Sequence, residues 1–195
     1  MPLTRRAALA GLACLTALPA QAAPRRYVLD TAGSEVGFQF IMSGLPTRGS
    51  IPILRADILL DTNRLEASTV DVELDAQGAY TPAPFALDAL RSPLVLGVDE
   101  FPRIRFKSRR VQLGPDGRIS GGAKITGDLT LRDITRPITL DAALYRAPGS
   151  AVDDLERLSA QLTGSLSRAA FGATGYAQLV ADTVTLDIRA KIRGV

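Results

Sequence analysis

The sequence lacks histidine and tryptophan, and Cys14 is its only cysteine. Because Cys14 lies in an N-terminal segment that we expect to be removed, the mature chain has no disulfide, and no imidazole or thiolate for a metal site or a nucleophilic triad. The P-loop, the G-x-S-x-G elbow and the dinucleotide-binding fingerprint are also missing. We therefore predict a protein that is not an enzyme and that uses no cofactor and no metal ion.

Aromatic residues are scarce, at 5% of the chain, whereas 46% of the residues are hydrophobic. The core is therefore expected to be mainly aliphatic. A strong excess of one charge is also lacking: the net charge is +3, and Arg5 and Arg6 of the N-terminal segment supply two of the positive charges. Subtracting these two from the 23 basic residues leaves 21 against 20 acidic residues. This balance does not favour binding to nucleic acid.

The first 22 residues have the pattern of an export signal. Thr4-Arg5-Arg6 precedes an apolar run from Ala7 to Leu18, and an A-x-A cleavage site follows at Ala20-Gln21-Ala22. The apolar run is shorter than the roughly 20 residues that a membrane-spanning helix needs. We expect residues 1–22 to be a signal peptide of the Sec or twin-arginine type, and residues 23–195 to form one periplasmic domain.

A strand–turn–strand pattern dominates the mature chain. Apolar residues occupy every second position of two successive segments: Ile125, Gly127, Leu129 and Leu131, then Ile138, Leu140, Ala142 and Leu144. A period of two predicts pleated strands with one dry face and one wet face. Asp133 and Pro137 fall in the predicted connection. The same alternation recurs from Glu35 to Met42, Ser68 to Asp75, Arg103 to Leu113, Leu155 to Leu166 and Thr183 to Arg193.

Four interruptions modify this pattern. Gly33-Ser34 and Pro115-Asp116-Gly117 are typical of turns. The helical spacing from Ala83 to Ser92, with Pro84 in the first turn, predicts a short helix that serves as a lid or plug at a barrel end. The inward residues change from even-numbered to odd-numbered positions at Arg109-Arg110, which predicts a β-bulge. The basic residues before it alternate with inward positions and favour a solvated strand face over an anionic partner.

About eight antiparallel strands are therefore expected, with almost no helix. Closing them into a barrel removes exposed sheet edges. An eight-stranded barrel is either filled by side chains or holds one small ligand. Small residues at inward positions favour a hollow lumen over a solid core: these are Ser108, Gly127, Ala142, Ala160, Gly164 and Ala190.

Several short motifs, taken together in their order and spacing, resemble the YceI-like family over residues 27–193. They are Tyr27-Val28-Leu29-Asp30, Ser34-x-Val36-x-Phe38, Gly44, Leu90-Arg91-Ser92, Phe101-Pro102, Phe106-x-Ser108, Gly127 to Leu131, Thr135-Arg136-Pro137, Ser167-Arg168 and Phe171-Gly172. The resemblance implies an all-β, lipocalin-like barrel whose lumen takes a long isoprenoid tail. Where the family pattern has histidines, this chain has Gly33, Met42 and Ala89, so that recognition of a polar headgroup through those positions is not expected.

We predict an apolar lining for the lumen, with two arginines as candidates for contact with a headgroup. The lining comprises Phe38, Phe40, Met42, Phe85, Leu90, Ile104, Phe106, Leu129, Leu140 and Phe171. The resemblance assigns Arg91 and Arg168 to a phosphate or quinone oxygen, and the alternative is that they bond loop carbonyls at the barrel end.

The leading hypothesis is a periplasmic protein that shelters an isoprenoid or similar apolar lipid without catalysis. The alternative is an envelope structural or interaction module with a filled barrel, docking on a membrane or a redox partner. A homodimer is left open by both hypotheses.

Overall fold

The computed structural model describes residues 24–114, 122–151 and 154–195. The predicted signal peptide and the predicted turn at Pro115-Asp116-Gly117 lie outside these residues. The described part consists of strands β1 Arg25–Met42, β2 Leu45–Ile51, β3 Ile53–Leu60, β4 Thr69–Asp75, β5 Arg103–Leu113, β6 Ala123–Leu131, β7 Ile134–Arg146, β8 Arg157–Ser167 and β9 Val180–Gly194, with helix α1 Pro84–Arg91 and short 3₁₀ turns at Leu65–Ala67 and Ala169–Phe171.

The strands close into an eight-stranded antiparallel barrel. All neighbours pair antiparallel in the order β2-β1-β3-β4-β5-β6-β7-β8-β9, and β1 also pairs with β9 to close the sheet. The segments β2 and β3 both pair with β1 and are separated at Pro52, so together they occupy one position in the barrel. Proline has no N–H for the ladder and is tolerated at such a break. The predicted fold class is therefore confirmed.

One end of the barrel, here called the helical end, is built from four connections: residues 43–44, 76–102, 132–133 and 168–179. Helix α1 lies in the second of these and begins at Pro84, where the missing N–H and fixed φ suit a first helical position. Ala86 and Leu90, four residues apart, are its buried residues. The predicted helix is confirmed.

The bulge predicted beside Arg110 is confirmed, because the β5–β6 register shifts between Ser108 and Arg110. The turn predicted at Gly33-Ser34 is wrong. Strand β1 runs through both residues, and its register with β9 shifts between Asp30 and Glu35. The Gly33 N–H donates to Asp30 Oδ1 (3.2 Å) and the Ser34 hydroxyl to Asp30 O (2.6 Å). These local hydrogen bonds occupy polar groups where the β1–β9 register shifts, so the irregularity stays within the strand.

The β6–β7 connection is tighter than predicted. Its two residues, Arg132 and Asp133, both have positive φ (52° and 57°), as two-residue hairpin turns require. Pro137 lies inside β7 opposite Asp128. Strand β8 pairs with β7 only from Leu140 onwards, so Pro137 occupies a stretch of β7 with one unpaired side, where the ladder loses nothing.

The basic outer face of β5 is paired with carboxylates of its neighbouring strands. Arg105 donates to both oxygens of Asp71 on β4 (3.0 and 2.7 Å), and Arg109 lies 2.5 Å from Asp128 on β6. The hydrogen bonds from Arg105 hold the pKa of Asp71 below its ordinary value. These pairs fit the solvated strand face that the alternation predicts.

No helix in residues 24–114, 122–151 and 154–195 has the length and apolar character needed to span a membrane.

Candidate ligand-binding cavity

The barrel encloses a cavity of about 480 Å³ that extends along the lumen. Its lining reaches from Met42 and Leu90 at the helical end to Leu60 and Ile192 near the opposite end. This volume lies within the roughly 300–1,000 Å³ that is typical of small-molecule sites. The hollow lumen predicted from the sequence is therefore present.

The cavity wall is almost wholly aliphatic and aromatic. Strands β1, β5, β6, β8 and β9 contribute alternate residues, and α1 contributes Ala86, Ala89 and Leu90. Arg168 is the charged residue of the lining. In the described residues, no group of three or more His, Cys, Asp or Glu side chains is placed to hold a metal ion. Such a wall offers apolar contact and very few hydrogen bonds.

The small inward residues contribute to the lumen in two different ways. Ala142, Ala160 and Ala190 line the cavity directly and widen it. Gly127 and Gly164 do not line it, because larger side chains cover them. A Cβ on Gly127 would lie 2.5 Å from Phe106 Cζ, and one on Gly164 would lie 2.7 Å from Leu140 Cδ2. The alanines therefore make the space, whereas the glycines accommodate neighbouring side chains.

Most of the predicted lining residues lie where the sequence predicts. The cavity is lined by Phe38, Phe40, Met42, Phe85, Leu90, Ile104, Phe106, Leu129, Leu140 and Arg168. Phe171 and Arg91 are outside the lining. Phe171 is turned into the core by the 3₁₀ turn Ala169–Phe171 and is fully buried. Arg91 donates through Nε and Nη2 to Ala79 O (3.0 and 2.9 Å).

The sequence-based selection of lining residues misses five strands, β2, β3, β4, β8 and β9, all of which contribute to the cavity wall. From the last two, Leu162, Leu166, Val184, Leu186 and Ile188 line the cavity. They occupy every second position of their strands. The alternation therefore indicates their inward orientation, although the selection favoured aromatic residues and the family motifs.

Arg168 is buried, with 7% of its surface exposed, and its guanidinium is largely committed to the loop that follows it. Nε donates to Ala181 O (3.1 Å), Nη1 to Ala173 O (2.5 Å) and Gly175 O (2.7 Å), and Nη2 to Val180 O (3.0 Å). Four of the five guanidinium N–H groups are thus used on carbonyls. The geometry matches the alternative of a barrel-end residue that bonds loop carbonyls.

Asp182 secures the other side of the same loop. It accepts hydrogen bonds from the Ser167 side chain and the Ala169 N–H (2.9 Å), which lower the pKa of its carboxyl group. The positive charge of Arg168 lowers this pKa further. The loop between β8 and β9 is therefore held from both ends by polar contacts.

The cavity opens to solvent at the helical end. Three residues that line it are also exposed: Phe85 on α1, and Tyr176 and Leu179 in the β8–β9 loop. Phe85 is 96% exposed, so it borders the opening of the cavity, whereas the sequence predicts it in the lining of the lumen. Phe85 follows Pro84 in the first turn of α1, whose buried residues are Ala86 and Leu90.

A closed antiparallel barrel with an apolar lumen that opens at one end defines a lipocalin-like fold. The model of the YceI-like domain matches residues 27–192, and the chain belongs to this family. A UPF0312 protein of Vibrio vulnificus strain YJ016 is 30% identical over 140 residues, which span 70% of this chain and 72% of that protein.

Two solved structures share the fold at low sequence identity. BcnA of Burkholderia cenocepacia has a TM-score of 0.73 at 15% identity, covering 84% of this chain and 99% of that one. A domain from Saccharophagus degradans, described as polyisoprenoid-binding and implicated in plant cell wall breakdown, has a TM-score of 0.61 at 13% identity, covering 88% of this chain and 99% of that one.

Replacing Arg168 by methionine is expected to destabilise the protein by about 3 kcal/mol, because it removes four charge-assisted hydrogen bonds and leaves carbonyls without donors. Arg91→Met is the matched control and is expected to cost about 1 kcal/mol, since only one buried carbonyl, that of Ala79, loses its donor. Urea denaturation measures both. Equal stability of Arg168→Met and the unmodified protein would contradict the structural role of Arg168.

Proposed function

We propose that the protein binds an apolar lipid with a long hydrocarbon chain, of the isoprenoid class, and shelters that chain in its lumen without catalysing a reaction. The observation that carries the proposal is the cavity of about 480 Å³ with its nearly unbroken apolar wall. The description of the Saccharophagus domain as polyisoprenoid-binding supports this ligand class.

The energetics of the lumen favour an apolar occupant. At about 24 cal/mol per Å³, an empty cavity of this size costs on the order of 10 kcal/mol, which is comparable with the whole stability of a domain, about 5–15 kcal/mol. Water would fill the space poorly, because a buried water needs roughly two to four polar partners. Each methylene group moved from water into the lumen contributes about 0.8 kcal/mol. A hydrocarbon chain therefore suits the site better than vacuum or water.

The polar end of the lipid is proposed to stay at the opening. Arg168 has at most one N–H left for a ligand, and Tyr176 lies at the mouth. The rest of the described lining consists almost entirely of apolar side chains. A charged headgroup drawn deep into this lumen would lose its hydration without compensation. Selectivity is then expected to depend on the tail more than on the headgroup.

The alternative of an interaction module with a filled barrel is less well supported, because the lumen holds a large cavity. Cavities of this size are rare in protein cores that serve only for packing.

Binding is tested by extracting the purified protein with organic solvent and identifying the released lipid by mass spectrometry, followed by titration of the delipidated protein with geranylgeraniol. Ala160→Phe places a ring in the alanine-lined part of the cavity and is expected to weaken binding about tenfold or more, as steric exclusion of a few methylene groups implies. Gln161→Phe, on the exposed face of the same strand, is the control and should bind normally.

A protein that is purified empty and takes up no prenyl lipid would refute the proposed function. Equal affinity in Ala160→Phe and Gln161→Phe would show that binding takes place outside the lumen.

We also propose a periplasmic location for the mature chain, on the basis of the signal-peptide pattern in residues 1–22. The full-length chain produced in a Gram-negative host is expected to appear in the periplasmic fraction with Ala23 as its N-terminal residue. N-terminal sequencing of that fraction checks both the location and the cleavage site. An uncleaved chain in the cytoplasm would contradict the proposal.

A further inference from the structure

Large apolar side chains are concentrated on the surface of the helical end. Phe85 is 96% exposed, Leu45 69%, Leu94 57% and Leu179 56%. Leu45 is the first residue of β2, Phe85 and Leu94 belong to the connection that contains α1, and Leu179 belongs to the β8–β9 loop. Together with Tyr176 we call them the mouth residues. Exposure of so much apolar surface at one place is typical of an interaction site.

The mouth residues are continuous with the lumen. Phe85, Tyr176 and Leu179 belong both to the exposed surface and to the cavity lining. An apolar chain that leaves the cavity therefore passes directly between them. The exposed patch and the cavity form one apolar path, of which the patch is the outer end.

Hydrogen bonds to backbone carbonyls hold the mouth residues in place. The Ser43 N–H donates to Leu179 O (2.7 Å), which joins the β1–β2 turn to the β8–β9 loop. The Gly175 N–H donates to Leu94 O (2.9 Å), which joins that loop to the segment after α1. Arg132 donates to Pro93 O (2.6 Å) and Val95 O (3.0 Å). The connections that carry the exposed apolar side chains are therefore fixed to one another by hydrogen bonds.

Charged residues are few around the mouth residues. Residues 41–47, 76–87, 92–98 and 169–181 contain no Asp, Glu, Lys or Arg, in a chain of which 22% is charged. The exposed acidic residues of the helical end lie beside these segments, at Asp88, Asp99, Glu100 and Asp133. A protein partner recognised through ion pairs would need charges in this surface. The interior of a lipid bilayer, by contrast, accepts apolar side chains and rejects charged ones. The composition of the mouth thus matches a lipid surface.

We propose that the helical end docks on a lipid bilayer, with Leu45, Phe85, Leu94 and Leu179 entering its apolar layer. The open mouth then faces the acyl chains, and an apolar ligand moves between the bilayer and the lumen without crossing water. The four docking residues are uncharged, and the exposed residues beside them include the acidic Asp88 and Asp133, so binding is expected to depend on apolar burial and not on anionic lipids. This inference rests on the proposed function, because it identifies the source from which the lumen is filled.

The lack of tryptophan allows a clean test of docking. Phe85→Trp introduces one fluorescent reporter at the mouth, and Tyr145→Trp introduces one on the exposed face of β7, paired with Ser159 toward the opposite end. Both proteins are mixed with phosphatidylcholine vesicles that contain no prenyl lipid. The emission of Phe85→Trp is expected to shift to shorter wavelength and to be quenched by brominated acyl chains, whereas Tyr145→Trp is unchanged.

A double variant separates docking from ligand binding. Leu45 and Leu94 are mouth residues that do not line the cavity. Leu45→Ser with Leu94→Ser is expected to lower vesicle partitioning at least about tenfold, given the burial lost at two leucines. Binding of geranylgeraniol delivered from detergent solution is expected to stay unchanged. Val28→Ser with Tyr145→Ser, at exposed positions away from the mouth, is the matched control and should leave both measurements unchanged.

Absence of quenching in Phe85→Trp, or equal quenching in both tryptophan variants, would overturn the docking proposal. Full vesicle binding by the Leu45→Ser, Leu94→Ser variant would do the same. A protein that binds geranylgeraniol from detergent but ignores vesicles would refute docking while supporting the proposed function. A protein that docks through Phe85 but takes up no prenyl lipid would support docking and refute the proposed function.

Discussion

The structure depends on one constraint: a closed barrel directs every second side chain into a shared interior, and here those side chains cannot fill it. Because β1 pairs with β9, the sheet closes on itself and has no edge strand, so every strand has one face toward the interior. Ala160 on β8 and Ala190 on β9 are directly paired, and Ala142 on β7 lies one inward position further along, opposite Leu162. Alternation makes the interior apolar, and the alanines make it hollow.

The helical end shows how the chain keeps such an interior accessible. A barrel open at both ends would admit water, and one closed at both ends would exclude the ligand. At this end the chain uses α1 and the β8–β9 loop, and it fixes the loop with the buried guanidinium of Arg168. The positive charge is compensated by carbonyl oxygens, so no acidic residue is needed inside the barrel wall. One polar residue of the wall thereby fixes the loop, while the rest of the lining stays apolar.

Much of the fold follows from local sequence pattern. Alternation over 9 to 15 residues predicts β6, β7 and β9, and a change of parity predicts the bulge near Arg110, because a strand shows its inward face in its own sequence. Gly33-Ser34 illustrates the limit. The same two residues suit a turn or an irregular strand, and the pairing of β1 with β9, more than 150 positions away in the chain, decides between them.

The candidate site is predicted less completely, for a related reason. Orientation toward the lumen can be read from alternation, but whether an inward side chain meets space or a neighbour depends on packing across strands. Phe106 covers Gly127, and Leu140 covers Gly164. The exposure of Phe85 and the hydrogen bonds from Arg91 to the Ala79 carbonyl arise in the connection between β4 and β5. A motif indicates that such residues matter to the fold, but it does not give their partners.

Xenon offers the most direct measurement of the central claim, because dry apolar cavities bind it and solid cores do not. Crystals of the delipidated protein, pressurised with xenon, are expected to show xenon in the lumen, between the alanine-lined strands and α1. A lumen that holds no xenon, or that is filled by a network of ordered water, would contradict the account.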